Sequence, residues 1–245
     1  MQHDATIERA EPLPLTVQQW DRYTAEEHAV WGLLYARRMA TLRDTASRVF
    51  LEGASTIGLD SKQVPDLARV NARLRPRTGW CAIPVAGFLP AAQFFECLAA
   101  RRFPTTVTVR SRQSIDYVPE PDIFHDVFGH VPLHANPVFA AVLQRLGKLG
   151  VAARDDEALL RITRLFWFTV EFGLVREGGR TRIYGSGLIS SHEDAAKALG
   201  PDCDRRPFVL DHVLAQSFEI DDLQPVLFVL DSFEQLFAAI DGLKD

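Results

Sequence analysis

Residues 117–137 read YVPEPDIFHDVFGHVPLHANP, three histidines (His125, His130, His134) set in an apolar stretch punctuated by proline and glycine. His130 and His134 are four apart, the spacing that puts two side chains on one face of an α-helix. His125 and His130 are five apart, which on an ideal α-helix turns them about 140° away from each other. Pro132 overrides this first impression. It has no backbone N–H and disfavours the helical conformation in the residue before it, so a helix opening at Pro121 and Asp122 should end near residues 129–131. The break separates His134 from His130. With Gly129 loosening the last turn, His130 is expected to swing back toward His125.

A third ligand lies in RLFWFTVEFGLV at 164–175, where Glu171 is the only acid in an apolar helical run. A carboxylate buried there must be paired, hydrogen-bonded or bound to a metal, because burying it bare costs several kcal/mol. The bland reading is an ion pair with an arginine. The sharper one joins Glu171 to His125 and His130 as the facial triad of a non-haem Fe(II) oxygenase. Two imidazoles and one carboxylate also serve catalytic zinc. However, HDVFGH departs from HExxH in spacing and in the acid that follows the first histidine.

The rest of the chain sets bounds. Its 245 residues are 47% hydrophobic with a net charge of −5 and no basic run, which points away from nucleic acid. The longest apolar runs fall well short of the roughly 20 residues of a membrane span. The first 15 residues carry no apolar signal segment and are expected to form a flexible arm, with one domain over 16–245. Cys81, Cys97 and Cys203 show no CxxC pairing and suit free thiols in a reducing cytoplasm. We expect a cytoplasmic monomer.

Thr24-Ala-Glu-Glu27 is a capping box that should open a long helix reaching Phe50. A shorter helix is expected after Pro65, broken by Gly79-Trp80, and another over 91–102 that Phe103-Pro104 ends. TTVTVR at 105–110 has the composition of a strand. Helices should follow over roughly 137–149 and 155–177, then a short strand and loop over 181–190, a strand at VLFVL, and a helix capped by Ser232. The expected fold is mainly α, with a few short strands. GSGLIS at 185–190 lacks the third glycine and the following helix of a dinucleotide loop.

YVPEPDIFHDVFGHVPL, WFTVEFGL (167–174) and YGSGLISS (184–191) together resemble the aromatic amino acid hydroxylases, specifically their short bacterial phenylalanine 4-monooxygenases. The likeness runs from Thr24 to Phe237, and PVAGFL at 84–89 falls in place within it. It implies a catalytic domain of helices around an iron held by His125, His130 and Glu171. Tetrahydrobiopterin or a related tetrahydropterin would be the co-substrate, near Phe88 and Leu89, stacked on Phe94, with Asp126 also in its site. Arg110, oriented by Asp122, would grip the substrate carboxylate with two parallel hydrogen bonds. Pro121, Trp167 and Phe172 would wall the aromatic ring, and Ser190 would support the His125 ring. The implied reaction converts L-phenylalanine, O2 and the tetrahydropterin to L-tyrosine and a 4a-hydroxypterin. Tryptophan, tyrosine or phenylalanine 3-hydroxylation on the same scaffold is the alternative, and a metal-free binding protein is a more distant one. His134, Phe166 and Phe218 depart from the common family residues, and His134 is read as exposed or structural.

Overall fold

The computed structural model describes residues 13–116, 121–218 and 224–243. Helix α1 (Ala25–Thr45) starts at the expected capping box, with the Thr24 hydroxyl accepting from the Glu27 N–H (3.2 Å) and the Glu27 carboxylate accepting from the Thr24 N–H (2.7 Å). It does not reach Phe50. Ala46 is extended and bridges Ile183, the Ser47 N–H donates to the Ile183 carbonyl (2.8 Å), and the Ser47 hydroxyl caps a new helix, α2 (Arg48–Ile57). The long helix is cut because Ser47 offers its own cap just where a strand passes.

Helix α3 (Leu67–Thr78) begins at Asp66 and ends at Gly79, whose φ of 77° only glycine adopts without strain. Strand β1 (Cys81–Pro84) and helix α4 (Ala91–Ala99) follow. Arg101, at φ 56°, turns the chain, so the helix stops short of the expected 91–102 and the next residues form strand β2 (Arg102–Thr105), parallel to β1. Residues 106–110, in the most strand-like sequence of the chain, pair with no strand among the described residues. The Thr106 and Arg110 N–H groups instead donate to the carboxylates of Asp126 (2.7 Å) and Asp122 (3.1 Å), and the Thr108 carbonyl accepts from the Ile123 N–H (2.9 Å). Every backbone polar group needs a partner, and here site carboxylates supply some of them.

A π-helical turn (Phe124–His130) runs into a 3-10 turn (Val131–Ala135): the winding changes where the helix was expected to end, but Val131, before Pro132, stays in the right-handed helical region. Helices α5 (Pro137–Ala152) and α6 (Asp156–Phe166) come next. The expected helix over 155–177 is divided: α6 passes into a second π turn (Trp167–Glu171) and then into strand β3 (Leu174–Glu177). Strand β4 (Arg180–Ile183) leads to α7 (Ser186–Ser190), a short helix where a loop was expected. The chain continues through α8 (His192–Leu199), β5 (Asp204–Pro207), α9 (Leu210–Ala215), β6 (Val226–Leu230) and α10 (Phe233–Asp241), the last capped by Ser232. The larger sheet has the order β4-β3-β6-β5, antiparallel only at β3–β4. The mainly α architecture holds.

Residues 13–15, the end of the expected amino-terminal arm, are among the described residues. Leu15 bridges Val85, and the Thr16 N–H donates to the Pro84 carbonyl (3.1 Å), so residues 13–15 are tied to β1. Residues 1–12 lie outside the described residues. All three cysteines are free.

Aromatic packing fixes the first π turn. Phe124 and Phe128 stack at 4.6 Å, and Trp31, Tyr35 and Phe50 meet them edge-on. On the other side α2 presses on the 3-10 turn so closely that a Cβ at Gly53 would lie 2.0 Å from the Pro132 carbonyl oxygen. Gly53→Ala should therefore destabilise the protein by about 3 kcal/mol or more, at or beyond the usual upper end for overpacking. Gly87→Ala, in open space, should be nearly neutral. Urea unfolding of the two variants makes the comparison.

Candidate metal centre

His125 and His130 belong to the first π turn and Glu171 ends the second. A π-helix bonds residue i to i+5, so two side chains five apart fall on one face. His130 reaches His125 through this wider winding, rather than by leaving a frayed helix. Gly129 has a different role from the one expected: a Cβ there would sit 3.1 Å from the Ser186 carbonyl oxygen, so it permits close approach of α7.

The three side chains converge. His125 Nε2 lies 3.4 Å from Glu171 Oε1, and His130 Nε2 lies 3.2 Å from Glu171 Oε2. All three ligand atoms fall within 4.8 Å of one another. No arginine among the described residues pairs with Glu171. The Ser186 hydroxyl donates to its Oε2 (2.8 Å), and the two imidazoles face it. Burial pushes the Glu171 carboxyl up, but the His125 and His130 charges and the bonds from His130 and Ser186 outweigh it and hold the carboxyl at about 2. Glu171 is an anion at neutral pH.

Ser190 fixes the tautomer of His125. Its single hydroxyl proton goes to the Ser186 carbonyl (2.8 Å), so its oxygen accepts from His125 Nδ1–H (2.9 Å). The Nε2 lone pair is thereby turned toward Glu171, as a metal ligand requires. His130 is oriented by packing, its ring lying 4.6 Å from Phe103.

His134 is structural and buried, not exposed. Its Nδ1–H donates to the His130 carbonyl (2.9 Å), its ring meets Trp80 and Phe103, and burial drives its pKa down to about 3. It is outside the ligand cluster among the described residues.

Asp122 and Asp126 flank His125. Asp122 accepts the His125 N–H (3.1 Å) and takes two bonds from Arg110, from Nε and NH2, each 2.9 Å. Burial opposes its charge, but Arg110 keeps its carboxyl below the ordinary range. Arg110 NH1 also donates to the Ile115 carbonyl (3.3 Å). Three of the five guanidinium protons are thus committed, leaving one on each terminal nitrogen without a partner among the described residues. Asp126 accepts from both the N–H and the hydroxyl of Thr106 at 2.7 Å, and burial pushes its carboxyl up.

The residues expected near a pterin are only partly gathered. Phe94 reaches the metal centre through Phe166 and Phe103, the latter packed on His130. Leu89 is buried in a small cluster with Val85 and Cys97 against which Phe94 also packs, whereas Phe88 is 82% exposed. Of the expected ring wall, Trp167 packs on Phe172 (5.2 Å) and Phe218 (5.0 Å), while Pro121 is exposed. Residues 117–120, part of the motif that carried the resemblance, lie outside the described residues.

Comparison with known proteins agrees with this donor set. A family model described as biopterin-dependent aromatic amino acid hydroxylase matches residues 10–242. The chain belongs to that family. A phenylalanine-4-hydroxylase of Chromobacterium violaceum is 44% identical over 223 residues, covering 91% of this chain and 75% of the relative. A crystal structure of phenylalanine hydroxylase from the same organism, with bound iron(III) and 7,8-dihydrobiopterin, superposes with a TM-score of 0.89 at 44% identity, over 93% of this chain and 83% of that one. A rat tyrosine 3-monooxygenase is more distant, at 36% identity over 91% of this chain and 44% of its own length. This hydroxylase is iron- and tetrahydropterin-dependent, and two imidazoles with one anionic carboxylate suit Fe(II).

Sequence reasoning missed Ser186, although it stands one turn before Ser190 in YGSGLISS, the spacing that aligns two side chains on a helix. Reading the segment as a loop hid it. Gly187 lies between them, where a Cβ would come 3.0 Å from Glu171 Oε1.

Alanine at His125, His130 or Glu171 should abolish tight Fe(II) binding, whereas His134→Ala should retain it. Ser190→Ala should weaken binding by about 10–100-fold through loss of the tautomer lock. Anaerobic Fe(II) titration of each metal-free variant checks the set.

Proposed function

We propose that this chain is a phenylalanine 4-monooxygenase, converting L-phenylalanine, O2 and a tetrahydropterin to L-tyrosine and a 4a-hydroxypterin. The observation that carries the reading is the meeting of the His125–His130–Glu171 cluster with the Arg110–Asp122 pair at His125, whose side chain joins the cluster and whose backbone N–H is held by Asp122. Similarity to bacterial phenylalanine-4-hydroxylases at 43–45% identity supports it.

Iron held by His125, His130 and Glu171, with the tetrahydropterin as electron donor, supplies the activation of O2. The protein's own part is positioning and exclusion of water. Arg110 offers the substrate carboxylate its two remaining terminal N–H groups, a fork suited to two parallel hydrogen bonds. Asp122 holds that fork while also holding the His125 backbone, so carboxylate recognition and metal ligation share one anchor. Trp167 and Phe172 line the ring site, with Pro121 at its exposed side. Phe94, Leu89, Phe88 and Asp126 are assigned to the pterin side, and Ser190 to support of His125. We also propose a cytoplasmic monomer whose catalytic domain spans the chain after its first residues; the three free thiols suit a reducing compartment. No helix among the described residues is long and apolar enough to cross a membrane.

Arg110→Lys preserves the charge beside Asp122 but loses the fork. It should raise KM for phenylalanine by about tenfold or more, the scale of a charge-assisted contact. Arg110→Ala would also strand a buried Asp122, so it is the poorer probe. Chromatography of products from the Fe(II)- and tetrahydropterin-loaded parent should show para-tyrosine. Meta-tyrosine as the main product, or faster turnover of tryptophan or tyrosine, would overturn the specific reading and leave the family intact.

A further inference from the structure

Helix α7 has five residues, too few to be stable alone, yet it carries both hydroxyls that hold the triad. Its carboxyl-terminal carbonyls are gripped from far away in the chain. Arg38, in the middle of α1, is only 2% exposed; it donates from Nε to the Ile189 carbonyl (2.7 Å) and from NH2 to the Leu188 carbonyl (3.0 Å). Its NH1 faces the Thr41 hydroxyl and His192 Nδ1, both at 3.3 Å.

Arginine is almost never fully buried unless paired. This one is paired with backbone carbonyls at the negative end of a short helix, where a cation is favoured. Burial lowers its pKa to about 10, so it stays charged at neutral pH. No step of the proposed reaction uses it. Its bonds fall on Leu188 and Ile189, between Ser186 and Ser190.

We propose that Arg38 is a positioning residue for the metal centre: by pinning the end of α7, it sets where Ser186 meets Glu171 and where Ser190 meets His125. This rests on the triad being the metal site and not on which amino acid is hydroxylated, so metal titration tests it apart from substrate assays.

The test uses metal-free full-length protein titrated with Fe(II) and with Co(II). Arg38→Met keeps the aliphatic stem and removes both carbonyl bonds. Its metal Kd should rise about tenfold, the lower end of the range for residues supporting metal ligands. Its Co(II) absorption bands should shift even at saturating metal, because ligand directions change. Arg38→Lys, keeping the charge and one reachable carbonyl, should fall between Arg38→Met and the parent. His192→Ala removes one of the two NH1 contacts and leaves both carbonyl bonds, so it should keep a Kd within about twofold of the parent, less than the loss of a single supporting contact. Urea unfolding of the metal-free forms separates a general loss of stability. A lowered unfolding midpoint with parent-like Kd and spectrum in Arg38→Met would overturn the proposal, as would an equal loss of affinity in His192→Ala. If Arg38→Met does not fold, Arg38→Lys decides: weaker binding with shifted bands supports the role, and parent-like values overturn it.

Discussion

A carboxylate buried among apolar side chains must be answered by charge or hydrogen bonds, and Glu171 is answered from two directions. His125 and His130 approach from the first π turn, and Ser186 from α7. Each of these elements has an unusual form for that reason. The π turns place residues five apart on one face, α7 is a helix of one turn, and Gly129, Gly185 and Gly187 stand where a Cβ would crowd a neighbour. Isolated π turns inside helical runs are recurrent at functional sites because their winding aims side chains that α-helical winding would separate.

The aspartates extend the same logic to the backbone. Asp122 and Asp126 take up N–H groups of residues 106–110, so this segment becomes the floor of the site instead of a strand. Asp122 joins Arg110 to the backbone of His125. A disturbance at the carboxylate fork is thereby felt at a metal ligand, and precise placement of the reacting groups follows from sharing supports.

Around this centre the fold is a set of restraints brought from distant parts of the chain. Trp31 and Phe50 brace the first π turn from α1 and α2, and Arg38 reaches α7 from α1. Phe103, in β2, packs on His130 and on His134. The helices thus act mainly by limiting where short, irregular segments can lie.

Local chemistry in the sequence determined a great deal. The Thr24 capping box, the helix stop at Gly79, the caps at Asp66 and Ser232, and the break at Pro132 depend on residues within one turn of each other. The ligands are legible because two histidines and one acid in apolar surroundings can be buried together only if something binds or neutralises them, and the motifs around them are family-specific. What the sequence could not decide was which of two locally acceptable conformations wins. TTVTVR has strand propensity, but its backbone donors find carboxylates nearer than a neighbouring strand. The α1–α2 run has helical propensity throughout, but Ile183 pairs with Ala46 and lets Ser47 cap. Residues 186–190 have the composition of a loop, but the buried guanidinium of Arg38 and the approach to Gly129 hold them as a helix. Propensity differs by tenths of a kcal/mol per residue, and one buried hydrogen bond or close backbone approach outweighs it. That margin is why the ligands could be read from the chain while the winding that unites them is a property of the tertiary structure.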